Sequence, residues 1–424
     1  MYRACRYIII VSLAWLPAQP ALSEALSLQE ARDRAVANNP GLAEMRERYH
    51  ALSERTLQQG ALPDPVLSLA AANFPWDELD RNQEPMTQLQ VGISQTFPYP
   101  GKRGLAAAAA GFEAETALHS VEEMQLGLKE NVAVIWWEIY YLDRSLETIE
   151  RNQALLRQFV EVARTRYEVG EGLQQDVLLA QLELSRLLDQ AIQVQALREE
   201  RAIRLNLLMG ELPDAAVDLP SDRAVELAPL APRQQLYLRA VEARPALAGQ
   251  RAAIRASASR LELARKDYFP DFTVGVRYGN RDEDDLGQSR QDFLSVMLSV
   301  QVPLYAGSKQ DRQVSQRERE LARSQYALTD ERNRVMADIA SAITDYRRAT
   351  GQLELFDTGI IPQARQTVES MLAGYQVNEV DFLNLVRSQV TLLNVELQYW
   401  RSYSEANQSI ARLQAAVGED NIHE

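Results

Sequence analysis

Apolar and polar residues alternate along four short segments of the chain. In residues 87–97, 271–280 and 292–302 nearly every second residue is apolar and its neighbours are polar or small, whereas residues 65–74 alternate less clearly. A segment of about 10 residues with one apolar and one polar face fits a membrane-spanning β-strand. The same period also fits a half-buried strand of a soluble sheet. The pattern therefore predicts four strands and leaves their surroundings open.

Two much longer segments follow the period of a coiled coil. In residues 102–168 and 309–376 apolar residues recur at spacings of three and four, and Gln125 and Gln153 interrupt the first seam. The first helix would be about 100 Å long, more than three times the hydrocarbon thickness of a bilayer. We expect Pro362 to kink or break the second helix. The predicted seam residues are Leu118, Val121, Leu128, Val132, Ile135, Ile139, Leu142, Leu146, Ile149, Leu156, Val160, Ala163 and Tyr167, and then Val335, Ile339, Ala342, Tyr346, Ala349, Leu353, Phe356 and Ile360.

The same order of elements occurs twice. Each copy is predicted to contain a helix (residues 28–60 and 232–268), two strands, the long helix and a return helix (about residues 173–208 and 380–417). Equivalent residues lie at a nearly constant offset, which is 205 for Pro40 and Pro245, 205 for Pro98 and Pro303, and 208 for Tyr167 and Tyr375. We interpret this as a duplicated domain, because the period is too long for a solenoid. Residues 24–209 form the first repeat, residues 210–232 a linker, and residues 233–424 the second repeat with the C-terminal segment.

A proline-rich corner joins a strand to a long helix in each copy. The two corners read "FPYPGK" and "VPLYAGSK". Proline ends the strand ladder and fixes its own φ, and glycine permits a sharp turn. The corner residues that we single out are Pro98, Pro100 and Gly101 in the first copy and Pro303 and Gly307 in the second.

A tight turn separates each long helix from its return helix. Positive φ is expected at Gly170 and Gly172 in the first turn, and Asn378 can supply it in the second. Asp176 suits the first turn of the return helix. These turns are either ordinary hairpin caps or the far mouth of a tube that meets a partner. The residues concerned are Val169, Gly170, Glu171 and Gly172, and then Val377, Asn378 and Glu379.

Composition narrows the class of protein. The net charge is −14 without a basic block, which argues against a nucleic-acid partner. Residues 1–23 resemble a secretory signal, with a basic start, an apolar stretch and small residues near Ser23. The only cysteine, Cys5, lies in that segment, before the apolar stretch, where it is badly placed for lipid attachment.

Sequence signatures of catalysis are missing. The three histidines are scattered, and HExxH, GxxxxGK[ST] and GxSxG patterns are absent. We therefore predict no enzyme, no cofactor and no metal site.

Four strands cannot enclose a lumen, and an open sheet edge cannot face lipid. If the strands span a membrane, three chains would have to pool 12 of them. The loops at residues 75–86 and 281–290 are polar and read as outward loops; their acidic residues are Asp77, Glu78, Asp80, Asp282, Glu283, Asp284 and Asp285.

At this point the residues resemble a known family. The duplication, "SQTFPYPGKRG", "RYEVGEGLQQDVLLAQ" and "AGYQVNEVDFLNLVRSQVTLLN" are similar to the TolC family of outer-membrane efflux proteins. The corner "FPYPGKR" is most similar to its heavy-metal cation branch. The resemblance implies a mainly helical fold in a homotrimer, with a 12-stranded barrel in outer-membrane lipid, a tunnel of coiled-coil helices and an equatorial belt. It also implies a periplasmic adaptor (membrane fusion) protein and an inner-membrane pump as partners.

The resemblance also suggests gate residues. The family's valine-glycine-leucine tip motif corresponds to residues 169–171 and 377–379, and both depart from it. Asn384 and Arg387 occupy the places of an aspartate ring that some relatives carry, so we expect that ring to be missing. Asp381 or Glu379 is a candidate substitute, and Asp176 of the first hairpin is a further candidate gate residue.

The function predicted from these features is a passive efflux duct, with heavy-metal cations as the first cargo. Drugs or secreted polypeptides are alternative cargoes. A soluble periplasmic coiled-coil adaptor is an alternative function, and an envelope enzyme ranks last.

Overall fold

The computed structural model describes residues 25–77, 79–220, 227–284 and 286–423. The predicted signal segment with Cys5, and the loop residues Glu78 and Asp285, lie outside the described residues. The elements in chain order are α1 (Leu28–Asn38), α2 (Pro40–Gly60), β1 (Val66–Ala72), β2 (Gln88–Phe97), α3 (Lys102–Glu168), α4 (Gln174–Met209), α5 (Arg233–Ala243), α6 (Pro245–Lys266), β3 (Phe272–Asn280), β4 (Phe293–Val300), α7 (Gln310–Leu355), a π-helical turn (Phe356–Ile360), α8 (Ile361–Gln376) and α9 (Phe382–Val417).

The four predicted strands are confirmed and form one antiparallel sheet in the order β1-β2-β3-β4. Strand β2 of the first half pairs with β3 of the second half, with Ile93 opposite Val276 and Phe97 opposite Phe272. Strands β1 and β4 are consequently the two edges of the sheet.

Four helices continue from the four strands as a row. Helix α3 packs against α2 on one side and α6 on the other, and α6 packs against α7. The row therefore has the order α2-α3-α6-α7, which is the order of the strands to which these helices connect. At the other end, α3 pairs with α4, and α8 pairs with α9. Within the described part of the chain, no helix combines the length and apolarity needed to cross a bilayer.

The first helix of each predicted repeat is broken, contrary to the single helices expected at residues 28–60 and 232–268. Asn39 ends α1 and begins α2, and its Oδ1 accepts a hydrogen bond from Leu42 N at 3.1 Å. Arg244 separates α5 from α6. Each break precedes Pro40 or Pro245, because a residue before proline avoids helical backbone angles. The sequence comparison used these prolines as landmarks and missed their local effect.

Pro362 does not break the second long helix. The π-helical turn Phe356–Ile360 ends two positions before Pro362, and the chain stays helical through α8. Proline cannot donate to the carbonyl four residues earlier and its ring clashes there. A local widening of the helix relieves this conflict, and π-turns are such widenings.

Most of the predicted seam is buried. Val132, Ile139 and Ile149 are completely buried, as are Ile339 and Ala349 of the second seam. Tyr167 is 47% exposed and so was wrongly assigned to the seam. Gln153, predicted as a break, is buried and donates to Leu187 O at 3.2 Å. A buried amide of this kind fixes the register of neighbouring helices at some cost in stability.

The end of the linker meets the C-terminal segment. Ala231 N donates to Ile422 O at 3.1 Å, and Leu230 forms an isolated bridge with His423. Tyr346 Oη donates to Ala228 O at 2.8 Å and ties both segments to α7. The predicted division into two repeats and a linker stays a prediction, and linker residues 221–226 lie outside the described residues.

Gly210 and Gly351 offer a matched test of the packing around α4. Gly210 has φ of +70°, and a Cβ there would lie 2.8 Å from Asn38 O, whereas a Cβ on Gly351 in α7 meets nothing within 4 Å. Gly210→Ala should cost at least about 1–2 kcal/mol of folding free energy because of its left-handed backbone. Gly351→Ala should gain about 1 kcal/mol through helix propensity.

Thermal unfolding in mild detergent, followed by circular dichroism, measures both variants. The midpoint should fall for Gly210→Ala and rise for Gly351→Ala. Equal midpoints would contradict both the left-handed strain at Gly210 and its close contact with Asn38.

Candidate functional site

One face of the sheet is apolar and exposed from edge to edge. In the register of the pairs, Leu69 lies beside Val91, Val91 beside Tyr278, and Tyr278 beside Leu294. All four of these side chains are exposed, and Leu69 and Leu294, on the two edge strands, are 75% and 71% exposed. An apolar surface of this extent is typical of a lipid or protein contact. The residues of this face are Leu67, Leu69, Ala71, Leu89, Val91, Ile93, Phe97, Phe272, Val274, Val276, Tyr278, Leu294, Val296, Leu298 and Val300.

The opposite face of the sheet is small and polar. A cavity of about 160 Å³ lies on it and is lined by Ser68, Ser94, Arg277, Ser295 and their neighbours. A Cβ on Gly92 would lie 2.9 Å from Ser68 Oγ, so a larger residue at this position would displace that side chain. The sheet thus has one face suited to lipid and one suited to water.

The first corner is fixed by a hydrogen-bond network that joins it to the start of β3. Gly101 has φ of +93° and precedes α3, as predicted. Asp271 Oδ1 accepts from Tyr99 N at 2.7 Å and from Lys102 Nζ at 2.9 Å. The Tyr99 ring stacks on Phe269 at 4.5 Å, with Pro98 and Pro100 on either side of Tyr99 in the chain. A charged and an aromatic contact therefore set the angle between strand and helix.

The second corner is built differently. Gly307 does not have positive φ, so the expectation that glycine makes this turn sharp is wrong for the second copy. Helix α3 begins at Lys102, four positions after Pro98, whereas α7 begins at Gln310, seven positions after Pro303. The longer connection turns gradually and needs no left-handed residue. Tyr305 in it is 77% exposed.

The two tips have the same hydrogen bonds. We call residues 169–172 the first tip and residues 377–379 the second tip. Gly170 has φ of +80° and Asn378 has φ of +67°, as the sequence predicted, whereas Gly172 does not have positive φ. Glu171 N donates to Arg166 O at 2.9 Å, and Glu379 N donates to Gly374 O at 2.9 Å. Both are the six-residue loops of a Schellman cap, which satisfies the last carbonyls of a helix.

Arg166 connects the two tips. Its Nη1 donates to Tyr375 O at 2.5 Å, its Nη2 donates to Asn378 Oδ1, and its guanidinium lies 4.8 Å from the centre of the Tyr375 ring. Tyr375 itself is buried against Phe382, with ring centroids 5.1 Å apart. The equivalent of Arg166 in the second copy is Gly374, so this link is made once per chain.

Two carboxylates lie beside this link. Burial raises the pKa of Asp176, and the charge of Asp381 raises it further, whereas the Leu173 backbone contact and Arg166 oppose the shift. Because this pKa is raised, the carboxyl favours the packed tip most below its unfolded pKa. That contribution is lost as pH rises through the folded pKa. Burial also raises the pKa of the Tyr375 hydroxyl, and the Asp176 charge adds to this.

The structure brings together only part of the predicted gate set. Asp176 and Asp381 lie close enough to influence each other, next to Arg166, Tyr375 and Asn378. The other predicted tip and gate residues lie exposed at the hairpin ends without side-chain partners in the described chain, and these are Val169, Glu171, Val377, Glu379, Asn384 and Arg387.

Sequence reasoning missed Arg166, Tyr375, Lys102 and Asp271 as site residues. Tyr375 was noted only as a repeat landmark, and the replacement of Arg166 by Gly374 in the second copy was the only signal at that position. No group of three or more metal-ligating side chains is found within the described ranges.

Arg166 should hold the two tips together. Arg166→Gln removes the guanidinium from Tyr375 and Asn378, and we expect faster amide hydrogen exchange at residues 375–381. Arg164→Gln is the matched control, because Arg164 is a surface residue two positions away that pairs with Glu168 on its own helix at 2.9 Å. Exchange measured by mass spectrometry at neutral pH should be unchanged in that control. Equal exchange in both variants would contradict the link.

Comparisons with known proteins agree with these features. The sequence profile of the outer membrane efflux protein family matches residues 31–211 and 236–419. Outer membrane protein TolC of Vibrio cholerae serotype O1 is 22% identical over 92% of this chain and 91% of its own length. Outer membrane efflux protein BepC of Brucella suis biovar 1 is 23% identical over 94% and 87%.

Solved structures show the same fold. The crystal structure of CusC superposes with a TM-score of 0.80 at 14% identity, over 93% of this chain and 92% of that one. The mainly helical fold with a small sheet is therefore that of outer-membrane channels. Since the family profile covers most of the sequence, the chain belongs to the outer membrane efflux protein family.

Proposed function

We propose that this outer-membrane channel is a passive duct that works as a homotrimer. The observation that supports this most is the sheet, whose apolar face is exposed and whose edge strands β1 and β4 are both open. In lipid an unpaired strand edge leaves its backbone groups without partners, which costs several kcal/mol per group. Pairing β4 of one chain with β1 of the next removes every edge when three chains close a ring of 12 strands.

The helical row supports the same assembly. Helices α2 and α7 lie at its two ends and continue from the edge strands. A ring of three sheets would therefore also join three rows, which gives a helical tunnel below the membrane. Exposed apolar residues near the second corner, Val302, Leu304 and Tyr305, lie where the next chain or the membrane interface would cover them.

We propose that the two tips form the periplasmic mouth and dock a periplasmic adaptor, which connects the duct to an inner-membrane pump. Val169 and Val377 are each 65% exposed at the ends of the hairpins and are suited to an apolar contact. The duct itself supplies no chemistry, so energy and choice of cargo come from these partners. Membership of an outer-membrane family argues against the soluble adaptor and the envelope enzyme.

For the cargo we propose heavy-metal cations, on the resemblance of the corner "FPYPGKR" to the heavy-metal branch. CusC is one of several structural neighbours with similar TM-scores, so the fold alone does not select a cargo. Drugs and secreted polypeptides are the alternatives.

The mass and membrane fraction of the purified protein test the assembly. We expect an outer-membrane protein that needs detergent and has three times the mass of one chain in a mild detergent micelle. A detergent-independent monomer or dimer in the periplasmic extract would refute the pooled sheet.

Bridging the two tips tests whether they are the gate. The chain has one cysteine, Cys5, outside residues 24–424, so Val169→Cys with Val377→Cys introduces the only pair there. A short, cleavable thiol cross-linker should stop efflux of preloaded metal ions from cells, and cleavage should restore it. Each single cysteine variant is the control for modification alone.

The outcomes of this experiment separate gate from cargo. Unchanged efflux with the bridge formed would show that these tips do not need to part. If deletion of the gene does not change metal efflux, the metal cargo is wrong, and the same bridge is assayed with a drug substrate.

A further inference from the structure

A groove of about 460 Å³ lies on the helical row, and side chains from all four of its helices line it. Because the first and the fourth helix of the row both reach this groove, we infer that it lies on the side toward which the row curves. The middle helices contribute small side chains, Thr116, Ala117 and Ser120 from α3 and Ala253, Ala256 and Ser257 from α6. The longer side chains come mainly from the flanks and reach over this floor.

The charge of this groove is opposite to that of the chain. Its charged lining residues are four arginines, Arg48, Arg55, Arg260 and Arg323, and one glutamate, Glu113. Four cations against one anion leave a net charge of +3, in a protein whose net charge is −14. We call these five residues with their floor the basic groove.

The single carboxylate of the basic groove already pairs with two of its arginines. Glu113 pairs with Arg55 at 3.5 Å and also with Arg260. Arg48 and Arg323 form no ion pair or hydrogen bond with any described residue. The nearby Arg317 pairs with Glu320 at 2.6 Å. Burial lowers the pKa of Arg260, and repulsion from Arg317 and Arg55 lowers it further, whereas the charge of Glu320 opposes the shift.

Arg48 and Arg323 lack a carboxylate partner in the described part of the chain, and guanidinium groups placed this close to the other two arginines repel one another unless an anion is present. Guanidinium groups bind carboxylate and phosphate oxygens through two parallel hydrogen bonds, and rings of arginine line anion-conducting pores. We propose that the basic groove binds oxyanion groups, such as phosphate or carboxylate, of molecules that pass along the concave side of the row.

The groove has a consequence for the lumen, and this consequence rests on the proposed trimer. Three rows in a ring would place twelve of these arginines at one level of the lumen, below the strands. Such a band favours anions over cations in the water that fills the tunnel. The band repels a bare cation, so a metal cargo would pass it as an anionic complex.

Binding of inorganic pyrophosphate to the purified, detergent-solubilised protein tests the groove without reference to the trimer. Titration calorimetry at low salt should detect binding, and Arg48→Gln with Arg323→Gln should weaken it at least about tenfold, because two charge-assisted contacts are lost. Arg251→Gln is the matched control, since Arg251 lies nine residues from Arg260 in α6 and so on the opposite side of that helix. It is an exposed arginine that donates to Val241 O.

Binding that is lost in the double variant and kept in the control confirms the site. Equal binding in the two, or no binding by the unmodified protein at millimolar pyrophosphate, overturns it. Reversal potentials across a planar bilayer under a potassium chloride gradient then measure the effect of the arginine band on ion selectivity. The double variant should shift these potentials toward cation preference. A protein that binds pyrophosphate but is not a trimer would refute the duct while leaving the groove.

Discussion

The pairing of β2 with β3 is the interaction on which the rest of the structure depends, because it joins strands from the two halves of the chain. Nine residue pairs, from Leu89 with Asn280 to Phe97 with Phe272, fix the register between them. That register places the ends of both strands together, so that Asp271 reaches Tyr99 and Lys102. Helices α3 and α6 then continue side by side, and α2 and α7 take the flanks. The concave groove and the level of the two tips follow from the same pairing.

Much of this fold could be predicted from the sequence. Apolar residues repeat every two positions in a strand and every three and a half in a coiled-coil helix, so their period identifies the element and its apolar face. The four strands and the long helices were found in this way, whereas the positive φ of Gly170 and Asn378 was predicted from the residue types of the turns. The breaks before Pro40 and Pro245 were missed, since a helical pattern that continues across a proline hides the change in direction. The second helical run was predicted to reach residue 376 with a kink or break at Pro362. The π-turn that lies before this proline was missed, because it leaves no mark in the pattern.

The candidate site was less accessible to the sequence, because its contacts join residues that are far apart in the chain. Arg166 meets Asn378 across 212 positions, and Lys102 meets Asp271 across 169. The repeat predicted the backbone conformation of the tips but not the Arg166 contacts between them, because Arg166 is a position at which the two copies differ. Within a duplicated scaffold, single-copy residues such as Arg166 are therefore the ones that make the two hairpins unequal. The arginines of the basic groove also come from both halves, and no single window of sequence shows them as a group.

The unequal corners have a consequence for how this architecture tolerates changes in length. Helix α3 has 67 residues, and α7, the π-helical turn and α8 together also run for 67, from Gln310 to Gln376. The three additional residues of the second half lie wholly between Pro303 and Gln310. A residue inserted into either long helix would rotate everything beyond it by about 100° and carry one tip past the other. A residue inserted into the corner between strand and helix leaves the seams of both long helices unchanged. Insertions and deletions among relatives should therefore occur mainly at the corners, while the number of residues from corner to tip stays constant.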